Sequence, residues 1–334
     1  MAKIVLGIAT SHGPMLSTPP DQWGQRVAAD RRNPQHWFKG KSYTFDQLLA
    51  LRAKEQIAKQ ITLPVWNERH AACRQAIGKL ADIFAEVKPD IAVIVGNDQM
   101  EMFKEPLIPA MSVYRGETIP NAYPTEDEIA KMPPGIPIAI TGHIPPHGAT
   151  YQGLPALATH LIEQAITDQF DVASIGSLPE NYHHIPHAFG FVFRNIMSDK
   201  AVPTVPVVLN TFYPPNQPTV SRCYAFGKSL LRAIESWKSD ARVALIASGG
   251  LTHFVIDEDV DNEVLDALKT RNIAGVAALG EPIFQAGTSE IKNWVPVAGA
   301  MADLGSEPHV LDYVPCYRSE AGTGNAMGFV YWRG

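Results

Sequence analysis

The chain has 334 residues, of which 46% are hydrophobic and 19% are charged. This is enough apolar material for a large packed core, which excludes a disordered or fibrous protein. The formal net charge of −6, with no basic cluster longer than Arg31-Arg32, argues against a nucleic-acid partner.

The N-terminal sequence and the cysteines favour a cytoplasmic protein. The apolar run near Met1 is short and lacks a small-residue cleavage site, and no stretch of about eighteen apolar residues occurs. We therefore expect no membrane partner. Cys73, Cys223 and Cys316 are odd in number, far apart and outside CxxC spacing. Reduced thiols are expected, and neither disulfides nor a thiolate zinc site.

Strand-like and helix-like segments alternate along the chain. Short apolar runs rich in β-branched residues predict strands over 3–9, 90–95, 172–175, 205–209, 243–247 and 327–332. Helical periodicity predicts helices over 45–60, 68–87, 155–168, 221–238, 261–268 and 289–302. No linker or compositional break divides the chain. We therefore expect one α/β domain over 1–334, with a central, largely parallel mixed sheet flanked by helices.

Three polar clusters follow predicted strands: residues 11–14, 96–99 and 248–253. Because active sites of such sheets lie at the carboxyl ends of the strands, we expect His12, Gln99 and His253 at one rim. Taken alone, His12 or His253 could equally be a hydrogen-bonded structural histidine. The Pro-rich stretch 101–150 lacks periodicity and predicts a long loop that covers the site.

Two further features could carry chemistry. His183, His184 and His187 fall within five residues. A buried neutral imidazole must find partners for both nitrogens, so this cluster favours metal binding, proton transfer or substrate contact over packing, although a solvated loop remains an alternative. Glu290 opens a predicted helix, which by itself indicates only a capped helix start. The chain has no HExxH, P-loop or GxGxxG motif.

Taken together, these segments resemble the class III extradiol ring-cleavage dioxygenases of the protocatechuate 4,5-dioxygenase catalytic-subunit type. The resemblance spans most of the chain and implies a non-haem Fe(II) enzyme that opens a catechol ring with dioxygen. It rests on five pieces in the family's order: Ser11-His12-Gly13-Pro14, Gly96-Asn97-Asp98-Gln99, Pro186-His187-Ala188-Phe189, Ser248-Gly249-Gly250-Leu251-Thr252-His253 and Ser289-Glu290-Ile291-Lys292-Asn293-Trp294.

The resemblance implies a role for each piece. His12 is similar to the family's first iron ligand, and Glu290 is similar to its carboxylate ligand. His253, which closes a Gly-Gly-x-Thr-His motif, and His187 are similar to the acid/base histidines. Pro186 stands where the family normally has Asp, so the group that orients the His187 imidazole is left open.

Gln99 departs from the family pattern, because the second histidine ligand normally ends an Asn-Asp-His or Pro-Asp-His loop. A face of two histidines and one carboxylate leaves three positions open on Fe(II), and an amide oxygen is a weaker donor than imidazole. Three alternatives follow. Gln99 ligates the metal directly, another histidine such as His183 or His184 replaces it, or the dioxygen chemistry has been lost.

The resemblance also implies a substrate and partners. We expect a catecholic or gallate-like aromatic acid and dioxygen as substrates, with His184 and Arg222 as candidate substrate contacts, and a homo-oligomer. Rival hypotheses keep the fold but use zinc or iron for a non-dioxygenase reaction, or describe a metal-free binding protein. A further rival is a partner subunit of a larger dioxygenase.

Overall fold

The computed structural model describes residues 1–104, 107–132, 135–180 and 182–334. Its strands are β1 (Lys3–Ser11), β2 (His36–Phe38), β3 (Lys41–Tyr43), β4 (Ile91–Asn97), β5 (Met111–Tyr114), β6 (Thr118–Asn121), β7 (Ala149–Gln152), β8 (Ala173–Ile175), β9 (Thr204–Leu209), β10 (Arg242–Gly249), β11 (His253–Val255), β12 (Pro308–Tyr317) and β13 (Thr323–Arg333). Its α-helices are α1 (Val27–Arg32), α2 (Phe45–Leu51), α3 (Leu63–Val87), α4 (Glu126–Lys131), α5 (Pro155–Thr167), α6 (His187–Phe191), α7 (Val220–Ser236), α8 (Glu258–Lys269) and α9 (Ile291–Asp303).

One mixed sheet forms the centre of the molecule, in the order β11-β13-β1-β10-β4-β9-β5-β8, with β12 on β13. The strands β1, β10, β4 and β9 run parallel to one another at its middle. The strand β13 pairs antiparallel with β1, β11 and β12, and β5 pairs antiparallel with β9. The predicted α/β class, with a largely parallel central sheet flanked by helices, is confirmed.

Helices cover both faces of the sheet, and this explains its apolar strands. Along β4, Val93 and Val95 face the core shared with α5, α7 and α9, whereas Ala92 and Ile94 face the core shared with α3 and α6. Because successive side chains of a strand point to opposite faces, a strand buried on both sides has no polar positions. No helix in the described ranges is long and apolar enough to cross a lipid bilayer.

Two regions differ from the predicted elements. The predicted helix over 45–60 ends at Leu51, and two short 3-10 turns follow it, separated by Gln56 in a left-handed conformation with φ of 54°. The last predicted strand is one arm of a long antiparallel hairpin formed by β12 and β13. The strand β12 was not predicted, since its half-buried residues lack a continuous apolar run.

Candidate active site

A cavity of about 310 Å³ lies where β1, β4 and β10 end. Six of the seven site residues predicted from the sequence line it: His12, Gln99, His184, His187, His253 and Glu290. They come from segments far apart in sequence, and the parallel arrangement of the strands brings their carboxyl ends to one rim. The structure thus assembles these side chains around one space.

Arg222 is the exception. It lies on α7, where its guanidinium donates a hydrogen bond to the Gln169 carbonyl at 2.8 Å and lies 3.9 Å from the centre of the Phe170 ring. It is not among the residues that line the cavity. Arg222 therefore lies outside this cavity, and its guanidinium is engaged at another surface.

His12 is buried directly after β1 and is fixed by the neighbouring strand β10. Its backbone N–H donates to the Gly249 carbonyl at 3.0 Å, and its Nδ1 lies 3.0 Å from the Ser248 Oγ. The Ser248 hydroxyl donates its one proton to the Ala188 carbonyl at 2.6 Å, so its oxygen accepts a proton from Nδ1. The neutral His12 ring therefore presents an unprotonated Nε2 to the cavity.

Glu290 is 1% exposed and is held by two amides. Its Oε1 accepts hydrogen bonds from the Asn97 side chain at 3.0 Å and from the Gln99 Nε2 at 2.7 Å. Asn293 in turn donates to Asn97 at 2.9 Å. These contacts fix the carboxylate and show what Gln99 does in this structure: it donates a hydrogen bond to Glu290 through its amide nitrogen.

The second carboxylate oxygen of Glu290 faces imidazole nitrogens. Oε2 lies 3.1 Å from the His12 Nε2 and 3.4 Å from the His253 Nε2. His253 donates its Nδ1 proton to the Leu251 carbonyl at 2.7 Å, so its Nε2 is also unprotonated in the neutral ring. In agreement, Oε2 is buried and has no hydrogen-bond partner among the described residues. An anionic oxygen beside imidazole lone pairs is an environment that favours a bound cation.

The nitrogen and oxygen atoms around Glu290 meet part of the geometric requirement of a metal site. Two donors that share one ion at about 2.1 Å lie about 3.0–3.4 Å apart, and the separation of His12 Nε2 from Glu290 Oε2 is 3.1 Å. In the part of the chain that the structure describes, no group of three or more His, Cys, Asp or Glu side chains is arranged to hold a metal. The described residues thus place a buried carboxylate oxygen beside imidazole nitrogens without a complete three-ligand arrangement.

Glu101 orients His187, which answers the question left open by Pro186. Its carboxylate accepts from the backbone N–H of His187 at 3.0 Å and from the His187 Nδ1 at 2.7 Å. The His187 Nε2 then lies 3.2 Å from the His12 Nε2. The sequence did not reveal this contact, because Glu101 lies 86 residues from His187 along the chain.

Electrostatics divide the cavity histidines into charged and neutral rings. Burial disfavours charge on both His187 and Glu101, but their mutual attraction outweighs it, raising the pKa of His187 to about 9 and lowering that of Glu101 to about 2. Burial and the His187 charge lower the pKa of His143 to about 3. Burial also lowers the pKa of His12, which favours the neutral, metal-binding form of its ring.

The predicted loop over 101–150 contains short elements, including β5, β6, α4 and β7. One part of it closes the cavity with apolar side chains, and we call these residues the roof: Met132, Ile136, Ala139, Ile140 and Ile144. A 3-10 stretch, Pro137–Gly142, holds the middle of the roof. The sequence suggested that the loop would cover the site, but individual roof residues could not be chosen, because no periodicity marks them.

The family model for the catalytic LigB subunit of aromatic ring-opening dioxygenase matches residues 63–322. Gln99, His187, His253 and Glu290 fall within this range, and His12 precedes it.

Two individual proteins are similar to this chain. A gallate dioxygenase of Pseudomonas putida is 28% identical over 189 residues, which are 52% of this chain and 52% of the relative, so the chain spans about half the length of this curated relative. An uncharacterized protein of Escherichia coli K12 has a crystal structure that matches with a TM-score of 0.45 and 16% identity, over 76% of this chain and 91% of that chain. Because the family model covers most of the chain, the chain belongs to the LigB family of aromatic ring-opening dioxygenase catalytic subunits, and the resemblance in its motifs is confirmed.

Proposed function

We propose that this protein is an Fe(II)-dependent extradiol dioxygenase that opens the ring of a catecholic or gallate-like acid. One observation carries the proposal: the buried Glu290 Oε2 has no hydrogen-bond donor among the described residues and lies 3.1 Å from an unprotonated His12 nitrogen. Membership of the LigB family and the similarity to a gallate dioxygenase support it.

His12 and Glu290 are the residues that would hold the metal. Gln99 is the candidate third ligand through its amide oxygen, although its amide nitrogen donates to Glu290 in the structure. Fe(II), when bound, would lower the energetic cost of the catecholate charge and supply the redox chemistry for dioxygen. Asn97 and Gln99 would hold the Glu290 carboxylate in the orientation that this requires.

Two histidines would handle protons. His253 in its neutral form is the candidate base for a phenolic proton, because its Nδ1 is tied to the Leu251 carbonyl and its Nε2 is then left to accept. Although burial works against it, the Glu290 carboxylate raises the pKa of this imidazole, so the neutral form is favoured as the pH rises. His187 is the candidate acid, because Glu101 keeps its imidazole protonated at neutral pH. The two rings line the same cavity, so one ligand can contact both.

The cavity would accept one substituted aromatic ring. Its volume of about 310 Å³ lies at the lower end of the range for small-molecule sites. The apolar roof would exclude water and pack on the ring, while His184 is a candidate contact for a polar substituent. A homo-oligomer remains a prediction that a solution mass measurement can test.

A second candidate function keeps this family's fold without dioxygenase activity. The observation in its favour is that Gln99 donates a hydrogen bond to Glu290 and that no complete three-residue His, Cys, Asp or Glu site occurs among the described residues. In this case the protein would bind zinc, or no metal, and would act on or bind an aromatic acid without consuming oxygen.

Oxygen uptake by anaerobically purified, Fe(II)-loaded protein distinguishes the two. With a panel of catechols and gallates, we expect uptake and a new visible absorbance, and we expect His12→Ala to lose most activity and iron while remaining folded. His309→Ala is the control, because His309 is exposed and stacks on Tyr331 away from the cavity. Unchanged iron content and rate in His12→Ala would exclude His12 as a ligand. Bound zinc or no metal, with no uptake, would favour the second candidate.

A further inference from the structure

Arg26 brings a positive charge to the active-site cavity. It ends the 3-10 stretch Pro20–Arg26, directly before α1, and its side chain lines the cavity. No other Lys or Arg is found among the residues that line this space. The sequence pointed to Arg222 as a cation for the substrate, and the structure places Arg26 at the cavity in its stead.

Among the described residues, the Arg26 guanidinium has no carboxylate of its own to pair with. Its Nη1 is buried and has no hydrogen-bond partner within the described ranges. The neighbouring carboxylate, Asp30, is already occupied, because it accepts from Arg318 through both oxygens at 2.7 Å and from the Thr323 hydroxyl at 2.7 Å. Arg26, Arg318 and Asp30 together therefore leave one positive charge unbalanced. Arg26 is partly buried, and burying one nitrogen of a charged group without a partner is costly, so an anion would complete the group favourably.

The other acidic groups of the cavity do not fill this role. Glu101 is paired with His187, and Glu290 is held by amides beside His12. Burial and the charge of Arg318 lower the pKa of Arg26 to about 10, against the opposing effect of Asp30, so the guanidinium is still charged at neutral pH. Neither of these carboxylates is therefore available to pair with Arg26.

The surroundings of Arg26 suit a bound organic acid. A Cβ added to Gly135, which has φ of 85°, would lie 3.3 Å from the Arg26 Cγ, so the glycine gives the arginine stem room beneath the roof. The apolar roof residues lower the local dielectric and strengthen an ion pair with the guanidinium. A planar fork of N–H donors matches the two oxygens of a carboxylate.

We propose that Arg26 binds the carboxylate of the aromatic acid and makes the cavity selective for acids over neutral catechols. The inference rests on the proposed function for the placement of the ring, whose diol end would lie at His12 and Glu290. Arg26 thus determines specificity through ground-state binding and takes no part in the reaction at the diol.

The test compares the binding of 3,4-dihydroxybenzoate with that of catechol, measured by calorimetry under argon so that no turnover occurs. Arg26→Met should weaken binding of the acid at least about tenfold and change binding of catechol by no more than about twofold. The affinity of Arg26→Lys for the acid should lie between those of the wild type and Arg26→Met, since lysine keeps the positive charge but lacks the planar fork of N–H donors. Arg32→Met is the matched control, because Arg32 is exposed and does not line the cavity.

Each outcome either supports or overturns the proposed role of Arg26. A selective loss for the acid in Arg26→Met, partly restored in Arg26→Lys, supports the inference even if the wild type consumes no oxygen, in which case only the proposed function fails. Equal losses for acid and catechol, no loss for the acid, or a wild type that does not bind the acid would overturn the role of Arg26.

Discussion

The two sides of the cavity are built differently. We call His12, Gln99, His253 and Glu290 the floor: the first three lie in segments that follow β1, β4 and β10, Glu290 lies directly before α9, and hydrogen bonds fix each of their side chains. The roof consists of apolar side chains carried by short helical turns in the long loop over 101–150. The sheet thus places the polar side chains of the floor, whereas the loop over 101–150 and Arg26 bound the space above them.

The largest expected effect is at the floor. Glu290→Gln removes the buried negative charge and places an amide where Asn97 and Gln99 both donate, so metal content and oxygen uptake should fall by at least about 100-fold. Metal analysis and oxygen uptake measured on one preparation check this. Glu307→Gln is the control, since Glu307 is exposed. Full metal content in Glu290→Gln would show that the floor does not hold the metal.

Asp261, which accepts hydrogen bonds from Thr252 next to His253, should make the stability of the fold depend on pH. Burial raises the pKa of Asp261 to about 7, although hydrogen bonds from Thr252 and Tyr313 work against this. The unfolded carboxyl loses its proton first, so the free energy of unfolding should fall as the pH rises from about 4 to about 8, by on the order of 2–4 kcal/mol.

The variant Asp261→Asn removes this titration. Urea unfolding at several pH values should give a flatter pH profile for Asp261→Asn than for the wild type, with the difference concentrated between the unfolded pKa and about pH 7. Parallel profiles for the two proteins would mean that Asp261 is ionised in the folded state and that its burial is offset by its hydrogen bonds.

Substitution of Glu101 tests how strongly catalysis depends on the orientation of the His187 ring. Glu101→Gln keeps one acceptor for the two donors of His187, so kcat should fall by about 10- to 100-fold while bound metal is retained. Steady-state kinetics and metal analysis separate these effects. Loss of metal along with kcat would assign Glu101 to the metal site and not to His187.

Substitutions in the roof should have the smallest effects. Ile136→Ala removes apolar surface from the cavity, so KM for the aromatic acid should rise by roughly threefold to tenfold, with kcat and metal content nearly unchanged. Kinetics over a range of acid concentrations check the prediction. A large fall in kcat at constant KM would show that the roof positions the ring for reaction and does more than enclose it.

The same contrast explains what the sequence could predict. The floor follows apolar strands, so His12, Gln99 and His253 could be placed at one rim from strand order alone, and the family motifs added Glu290. Glu101, His143 and the roof could not be found, because their roles depend on long-range contacts that no local pattern marks. Arg26 lies in a short 3-10 stretch without periodicity, so no local pattern marks it as a cavity residue.

The proposed function requires that the floor residues enable dioxygen to open the aromatic ring. The most direct measurement is a single turnover of Fe(II)-loaded protein with 3,4-dihydroxybenzoate or gallate under isotopically labelled dioxygen, followed by mass spectrometry of the product. We expect a ring-opened acid that carries both labelled oxygen atoms. An intact ring, or oxygen consumed without label in the organic product, would contradict it.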